Sequence, residues 1–177
     1  NPIHHRRLMR LEGYDYHEEG GYFVTVVTHG RENLFGKIVD GEMALNPCGQ
    51  IVQQTWHDLA RHNTGIELDA FIVMPNHIHG IIILNGAVGA GPRPAQVNPI
   101  DTVESSWPIP VGLPEIVRQL KSFSAREINH LRHTPEKPVW QRNYYDHVIR
   151  SEKDYDNIVN YILENPQFWL KDDEFHD

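Results

Sequence analysis

Runs of apolar residues, bounded by glycine, proline and asparagine, predict four β-strands in this chain. The segment "YFVTVVTHG" (residues 22–30) is rich in β-branched and aromatic residues and ends at a glycine, which is typical of a strand. "LDAFIVMP" and "HIHGIIIL" are separated by a very short turn at Asn76, so they predict an antiparallel hairpin. "VWQRNYYDHVIR" predicts a fourth strand at about residues 144–150.

Apolar positions at helical spacing predict three helices. Asn46 followed by Pro47 is typical of a helix start, and it precedes the first of them. The last helix begins after Ser151, a capping residue, and stops at Pro166. The three segments are "NPCGQIVQQTWHDLARH", "LPEIVRQLKSFSAREINHLRH" and "SEKDYDNIVNYILENP".

The order of these elements is β-α-β-β-α-β followed by a terminal helix. This order predicts an α+β, ferredoxin-like split β-α-β fold, with a four-stranded antiparallel sheet and two long helices. We expect one domain over residues 1–177. Residues 86–112 are dense in glycine and proline and show no sustained period, so they predict a flexible excursion from the domain.

The composition is typical of a soluble globular protein, with 40% hydrophobic and 23% charged residues. Unbroken apolar runs reach only four to five residues, too few to span a membrane, so no membrane partner is expected. The single cysteine, Cys48, excludes an internal disulfide framework and favours a reducing, cytoplasmic location.

The formal net charge of -8 argues against a broad basic surface for duplex DNA. A function on nucleic acid would therefore need a local basic patch or a bound metal ion.

His77 and His79 stand at the start of the predicted strand "HIHGIIIL". Alternate side chains of a strand share one face, so the two imidazoles point the same way. Such a pair can supply two ligands to a metal ion, because neutral imidazoles suit Mn, Zn and Fe. The pair also fits a hydrogen-bonded polar contact at a strand end, and the sequence pattern alone leaves both interpretations open.

Tyr161 lies off the apolar stripe of the last helix, and Asn165 follows one turn later on the same flank. A phenol and an amide therefore project together from the edge of a packed helix. Tyr161 could equally be a partly buried aromatic residue with its hydroxyl in water. Asn165 could equally be a helix-terminal residue placed before Pro166.

Four segments, in this order along the chain, resemble those of a known protein family: "GYFVTVVTHGRENLFG", "LDAFIVMPNHIHGIII", "VWQRNYYDHVIR" and "NYILENP". Together they resemble the single-tyrosine HUH transposases, and in particular the REP-associated tyrosine transposase branch (IS200-like). The resemblance extends from about residue 8 to residue 168. Its most specific element is "MPNHIHG", since a bare His-x-His would not identify the family.

The resemblance implies a metal-dependent enzyme that cleaves and rejoins single-stranded DNA in transposition or recombination. It implies that Tyr161, on the terminal helix, is the nucleophile and forms a 5′-phosphotyrosine intermediate. It implies that His77, His79 and Asn165 bind a divalent metal ion, for which Mg or Mn is expected. The DNA partner would carry a hairpin or a palindromic repeat.

Binding of single-stranded DNA requires cations and stacking aromatic rings. The basic arm "HHRRLMR" is one candidate for this role. Tyr144 and Tyr145 are also rival nucleophiles, ranked below Tyr161 because residues of a strand are expected to pack in the sheet or stack on substrate. The remaining DNA-binding candidates are Arg118, Lys121, Arg126, Arg132, Tyr144 and Tyr145.

Two other functions remain open from the sequence. A metal-dependent hydrolase would use His77 and His79 to activate water and would form no covalent adduct. A non-catalytic ferredoxin-like module would bind nucleic acid even without the histidines. The oligomeric state is open as well: in a homodimer, Tyr161 could face the metal site of the partner, with a flexible joint near residues 150–153.

Overall fold

The computed structural model describes residue 15, residues 18–85 and residues 111–171, except the side chains of residues 170 and 171. The predicted basic arm "HHRRLMR" lies outside these residues, and so do residues 86–110 of the predicted excursion. Within the described part, no helix is long and apolar enough to cross a membrane.

All four predicted strands and all three predicted helices are present. Two short strands and two 3-10 segments, His29–Arg31 and Asn165–Lys171, accompany them. The strands are β1 (Gly20–Val27), β2 (Gly36–Val39), β3 (Glu42–Leu45), β4 (Ile66–Val73), β5 (His77–Leu84) and β6 (Tyr145–Ile149). The helices are α1 (Pro47–His62), α2 (Leu113–Arg132) and α3 (Glu152–Glu164).

The main sheet has the order β4-β5-β1-β6, and each neighbouring pair is antiparallel. This is the order of the ferredoxin-like arrangement, so the predicted fold class is confirmed. The predicted hairpin of β4 and β5 is confirmed too. On the central strand, Thr25 pairs with His79 of β5 on one side and with Tyr145 of β6 on the other.

The two faces of the sheet are covered by different helices. Alternate residues of β1, among them Tyr22 and Val24, join the core formed with α1 and α2. Phe23 points to the opposite face, where it packs with Ile81 and with Ile162 of α3. His79 and Ile81 are two positions apart on β5, and Thr25 and Phe23 are two positions apart on β1, so the members of each pair share one face. The histidine face of the sheet therefore lies under α3.

Gly80, directly after the second histidine, lies against Trp56 of α1. A Cβ atom at this position would lie 2.4 Å from Cη2 of the fully buried Trp56. The indole also stacks on Phe71, with ring centroids 4.3 Å apart. The glycine therefore lets α1 approach the strand, and it does so on the face opposite the histidines.

Both predicted helix starts are confirmed by side-chain caps. The side chain of Asn46 accepts a hydrogen bond from the backbone N–H of Gly49, and Ser151 accepts one from the N–H of Asp154. Such caps typically contribute about 1 kcal/mol each. Helix α3 ends at Glu164, as the following proline requires, but the chain continues helically as the 3-10 segment Asn165–Lys171.

The hairpin of β2 and β3 was not predicted. Its turn is Asp40-Gly41, and both residues have positive φ angles of 53° and 79°. Asp-Gly is a typical pair for a two-residue hairpin turn that needs positive φ at both positions. The four-residue strands on either side are partly exposed and carry no long apolar run, so the turn is the one signal that the sequence offers.

Candidate active site

His77 and His79 lie side by side on β5 and are almost completely buried, with 0% and 2% of their surfaces exposed. Their Nε2 atoms are 2.9 Å apart. The two rings are inclined at 66°, so the nitrogens converge on one point beside the sheet. This geometry permits both nitrogens to serve a single ligand.

The outer nitrogen of each ring has its own polar partner. Nδ1 of His77 lies 2.8 Å from Oδ1 of Asn76, and Nδ1 of His79 lies 2.8 Å from Oγ1 of Thr25. Asn76 is fully buried and Thr25 is 5% exposed, so both partners are built into the interior. Sequence reasoning missed these two residues; the signals were an asparagine adjacent to the first histidine and a threonine at an alternating position of β1.

Helix α3 brings Tyr161 to the histidine pair. Its hydroxyl oxygen lies 3.4 Å from Nε2 of His79, and the two ring centroids are 5.1 Å apart. Phe23 supports both rings, stacked on His79 at 5.4 Å and edge-on to Tyr161 at 6.1 Å. Tyr161 is 44% exposed, so a substrate from solvent can reach its side chain.

Asn165 is 3% exposed, and its Oδ1 atom has no hydrogen-bond partner among the described residues. Tyr161 precedes it by four residues and reaches His79, whereas Trp169 follows by four and reaches His77, at a centroid distance of 5.9 Å. Asn165 therefore lies between two residues that both contact the histidine pair. A buried carbonyl oxygen without a partner is costly and calls for an explanation.

Side-chain contacts tie α3 to the sheet of its own chain. Tyr155 donates a hydrogen bond to the carboxylate of Asp69 on β4, and this contact raises the pKa of the phenol. Asp154 pairs with His147 of β6 at 2.9 Å, a hydrogen bond that lowers the pKa of the carboxyl group. Tyr161 consequently faces the histidines of its own chain.

The predicted DNA-binding tyrosines differ in position. Tyr145 lies on the site face of β6, is 41% exposed, and meets Phe23 edge-on at 6.3 Å. Tyr144 precedes the strand and is 9% exposed, with a buried hydroxyl group. Only Tyr145 of this pair is presented to a substrate at the histidine site.

The four predicted basic residues lie on α2, which packs on the other face of the sheet, so the structure does not bring them to the histidines. Arg118 pairs with Glu115 at 2.6 Å, and its hydrogen bond lowers the pKa of that carboxyl to about 2. The Lys121 ammonium donates to the backbone carbonyls of Gln141 and Arg142, and burial lowers its pKa. The other two are Arg126, which lies over the ring of Phe123, and Arg132, in the last turn of α2.

The donor set around the histidine pair fits a divalent metal ion. Two converging imidazole nitrogens and a buried amide oxygen without a partner are ligands that Mn and related ions accept. In the part of the chain that the structure describes, no group of three or more His, Cys, Asp or Glu side chains could hold a metal. The proposed set does not require one, since its third member is an amide.

Comparisons with known proteins give two sequence relatives. An uncharacterised protein of Haemophilus influenzae is 39% identical over 177 residues, which cover 99% of this chain and 96% of that protein. A second H. influenzae protein, named "Putative REP-associated tyrosine transposase", is 26% identical over 153 residues, which cover 86% of this chain and 73% of the relative. No protein-family model matches the chain.

Among solved structures, the chain is similar to a REP-associated tyrosine transposase bound to a REP hairpin. The two share 23% sequence identity and a TM-score of 0.53, over 86% of this chain and 70% of the other. This likeness shows the shared fold.

Proposed function

The resemblance of this chain to the REP-associated tyrosine transposases is confirmed, and from it we propose a metal-dependent DNA strand transferase. The enzyme would cleave and rejoin single-stranded DNA at hairpin-containing sites through a 5′-phosphotyrosine intermediate. The observation that carries the proposal is the contact of the Tyr161 hydroxyl with the buried histidine pair, 3.4 Å from Nε2 of His79. A solvent-accessible phenol beside two converging imidazoles is suited to attack a phosphodiester.

Tyr161 is the proposed nucleophile. Its oxygen forms a bond to phosphorus, the bond from phosphorus to the 3′ oxygen breaks, and the phenolic proton is lost while the leaving 3′ oxygen gains one. An unperturbed phenol has a pKa of about 10, so at neutral pH it needs its surroundings to favour attack. Because one phosphodiester replaces another, a free 3′ hydroxyl can attack the phosphotyrosine and rejoin DNA without a nucleotide cofactor.

His77, His79 and Asn165 are the proposed metal ligands. When bound, a divalent ion, Mg or Mn in this proposal, supplies Lewis-acid stabilisation of the phosphate charge and orients the group for attack. The support is the distance of 2.9 Å between the two Nε2 atoms and the buried Oδ1 of Asn165. The packing of Phe23 and Trp169 against the two rings limits their movement.

The proposed substrate is DNA with a hairpin and a single-stranded flank. The structural relative is bound to a REP hairpin, which supports this class of ligand. Tyr145 would stack on a base of the flank, because its ring is exposed on the site face of the sheet. Tyr144, which precedes β6 and is 9% exposed, would support the protein segment that carries Tyr145.

The basic residues of α2 would contact phosphates of the hairpin stem away from the histidines. Arg118 and Arg126 are well suited, because their side chains are 64% and 73% exposed. Arg132 would extend the same surface. Lys121 would act mainly by holding the segment before β6 through its two carbonyl contacts.

The test is incubation with single-stranded hairpin DNA and Mn²⁺, followed by a denaturing gel. The expected result is a protein–DNA adduct that disappears in Tyr161→Phe and in His77→Ala and persists in the matched control Tyr145→Phe. Cleavage without an adduct would support the water-activating hydrolase instead. Hairpin binding that survives loss of both histidines, without cleavage by the wild-type protein, would support the non-catalytic module.

A further inference from the structure

We propose that Arg142 binds a backbone phosphate of the single-stranded DNA flank beside the histidine site, and that Lys121 is a positioning residue that holds Arg142 in place. The inference rests on the proposed function and deepens it, because it assigns the backbone contact that accompanies base stacking on Tyr145. It concerns residues 141–144, which precede β6.

Residues 141–144 form a bulge between two points at which the chain pairs with β1. Trp140 pairs with Thr28, and Tyr145 pairs with Thr25. Five positions separate Trp140 from Tyr145, whereas three separate their partners on β1, so two residues of the bulge have no counterpart on that strand. Bulges redirect the side chains of a strand and are common beside active sites.

The bulge lies at the histidine end of the sheet. The N–H of Gln141 donates to the carbonyl of Val27 at 2.8 Å, and Val27 pairs with His77 on its other side. Neighbouring strands are about 4.8 Å apart, so the backbone of Gln141 lies roughly 10 Å from that of His77. Tyr145, at the other end of the bulge, is on the site face of the sheet. A DNA strand that stacks on Tyr145 therefore lies beside the bulge as well.

Lys121 binds the backbone of the bulge. Its ammonium donates to the carbonyl of Gln141 at 2.6 Å and to that of Arg142 at 2.8 Å. The preceding residue, Trp140, is held by the same helix, since its indole N–H donates to Oγ of Ser124 at 2.9 Å. Helix α2 therefore fixes the backbone of the bulge, whereas the side chain of Arg142 is exposed.

Arg142 can serve a phosphate without first breaking an ion pair. Arg118 and Arg126 pair with Glu115 and Glu127, whereas the guanidinium of Arg142 has no carboxylate partner among the described residues. A guanidinium binds a phosphate through paired hydrogen bonds. Since the chain has a formal net charge of -8, binding of DNA requires such local cations.

The first test compares a DNA hairpin that carries a single-stranded flank with the same hairpin without the flank. Affinities are measured by fluorescence anisotropy in EDTA, on the Tyr161→Phe background. Arg142→Gln should weaken binding of the flanked hairpin by about 10-fold or more, the loss expected for a hydrogen bond to a charged group. Its affinity for the hairpin without the flank should be unchanged.

Arg150→Gln is the matched control for the first test. This exposed arginine follows Ile149, at the end of β6 that is distant from the histidines. It should bind both hairpins normally. An Arg142→Gln variant that binds the flanked hairpin normally, or that loses affinity for both hairpins equally, would overturn the inference.

The second test asks whether Lys121 acts through Arg142. Loss of one phosphate contact on a single strand reduces the salt slope of binding by about 0.7, and we expect this reduction in Arg142→Gln but not in Arg142→Lys, which keeps the charge. Lys121→Met removes the ammonium and keeps the aliphatic stem. It should reduce the slope in the parent protein and cause no further reduction in Arg142→Gln.

Two results would contradict the role of Lys121. An unchanged slope in Lys121→Met would show that Lys121 does not position Arg142. A double variant that loses about 1.4, as for two phosphate contacts, would show that Lys121 contacts DNA itself. The Arg142 variants change an exposed side chain, so they decide the phosphate contact whether or not Lys121→Met folds.

Failure of this inference and failure of the proposed function are distinguishable. Wild-type protein that forms the DNA adduct, together with an Arg142→Gln variant that binds the flanked hairpin normally, would overturn the role of Arg142 alone. Wild-type protein that forms no adduct would contradict the proposed function. The anisotropy comparison involves no cleavage, so it would still decide whether Arg142 binds the flank.

Discussion

The hydroxyl oxygen of Tyr161 lies 3.4 Å from Nε2 of His79, and the two residues belong to one chain although 82 positions separate them. Helix α3 reaches the sheet because Tyr155 and Asp154 tie it to β4 and β6. The phenol and the imidazole share Phe23 as a common support. One chain thus contains every residue of the proposed site.

Asn165 and Asn63 form a matched pair for testing the metal site, because each is 3% exposed. The side chain of Asn63 donates to two partners, whereas Oδ1 of Asn165 has none among the described residues. An unsatisfied buried polar group costs about 1–3 kcal/mol. Chemical denaturation should therefore show Asn63→Leu to be less stable by about that amount, and metal-free Asn165→Leu to be at least as stable as wild type.

Calorimetry with Mn²⁺ completes that comparison. Asn165→Leu should lose roughly 10-fold or more in affinity, as expected when a ligand is removed, while Asn63→Leu should bind normally. Strong destabilisation of Asn165→Leu with unchanged Mn²⁺ binding would make Asn165 a structural residue.

Tyr145 and Arg126 should contribute to DNA binding in different ways. Stacking of a base on an aromatic ring is worth about 1–3 kcal/mol, so Tyr145→Ala should weaken binding of the single-stranded flank by about 5–150-fold, and Tyr145→Phe should bind normally. Arg126→Ala should weaken hairpin binding and reduce the salt slope by about 1, as expected for one phosphate contact.

Both effects are measurable by fluorescence anisotropy in EDTA, on a Tyr161→Phe background that prevents cleavage. A Tyr145→Ala variant with unchanged affinity would show that Tyr145 does not contact the single-stranded flank. An unchanged salt slope in Arg126→Ala would show that the exposed surface of α2 does not contact phosphates.

Gly80→Ala should destabilise the fold by about 1–3 kcal/mol, the usual effect of overpacking a core. The added Cβ would lie 2.4 Å from Cη2 of Trp56, and neither strand nor helix can shift without breaking other contacts. Urea denaturation of Gly80→Ala, Trp56→Phe and the double variant measures the coupling between the two positions. The double variant should be more stable than the sum of the two single effects predicts. Additive effects of the two substitutions would contradict a clash between positions 80 and 56.

Stability of α3 should depend on pH through Asp154. The hydrogen bond from His147 lowers the pKa of this carboxyl in the folded protein, so its ionised form stabilises the fold above the unfolded pKa of about 3.9. That contribution is lost as the pH falls through the lower, folded pKa. Amide protection in α3 should therefore be greater in wild type than in Asp154→Asn at pH 7, and the difference should vanish in strong acid. Equal protection at pH 7 would show that the contact does not hold the helix.

Local signals allowed most of the fold to be predicted. Asn46 and Ser151 cap their helices through contacts only three residues long, and such contacts can be read from neighbouring residues. The hairpin of β4 and β5 was predicted from an equally local signal, the very short turn between two apolar runs. The short strands β2 and β3 were missed because their four-residue patterns are weak and the Asp40-Gly41 turn was not weighed.

The predicted site residues fall into two groups for a physical reason. Strand periodicity predicted that His77 and His79 share one face, and helix periodicity predicted that Tyr161 and Asn165 share one flank. The contact between the two pairs, from the Tyr161 hydroxyl to His79, comes from the structure. The basic residues of α2 lie away from the histidines, because α2 packs on the other face of the sheet, and the face on which a helix packs does not follow from the helix itself. Their predicted contact with DNA stays a prediction. Thr25 was missed since its contact with His79 spans 54 positions, and only strand pairing reveals it.

The most direct test of the central claim is mass spectrometry of the peptide that remains linked to DNA. Wild-type protein is treated with hairpin DNA and Mn²⁺, digested with nuclease and protease, and the residual nucleotide is located by fragmentation. The proposed mechanism predicts a nucleotide joined through its 5′ phosphate to Tyr161. A nucleotide on Tyr144 or Tyr145, or DNA cleavage without any modified tyrosine, would contradict it.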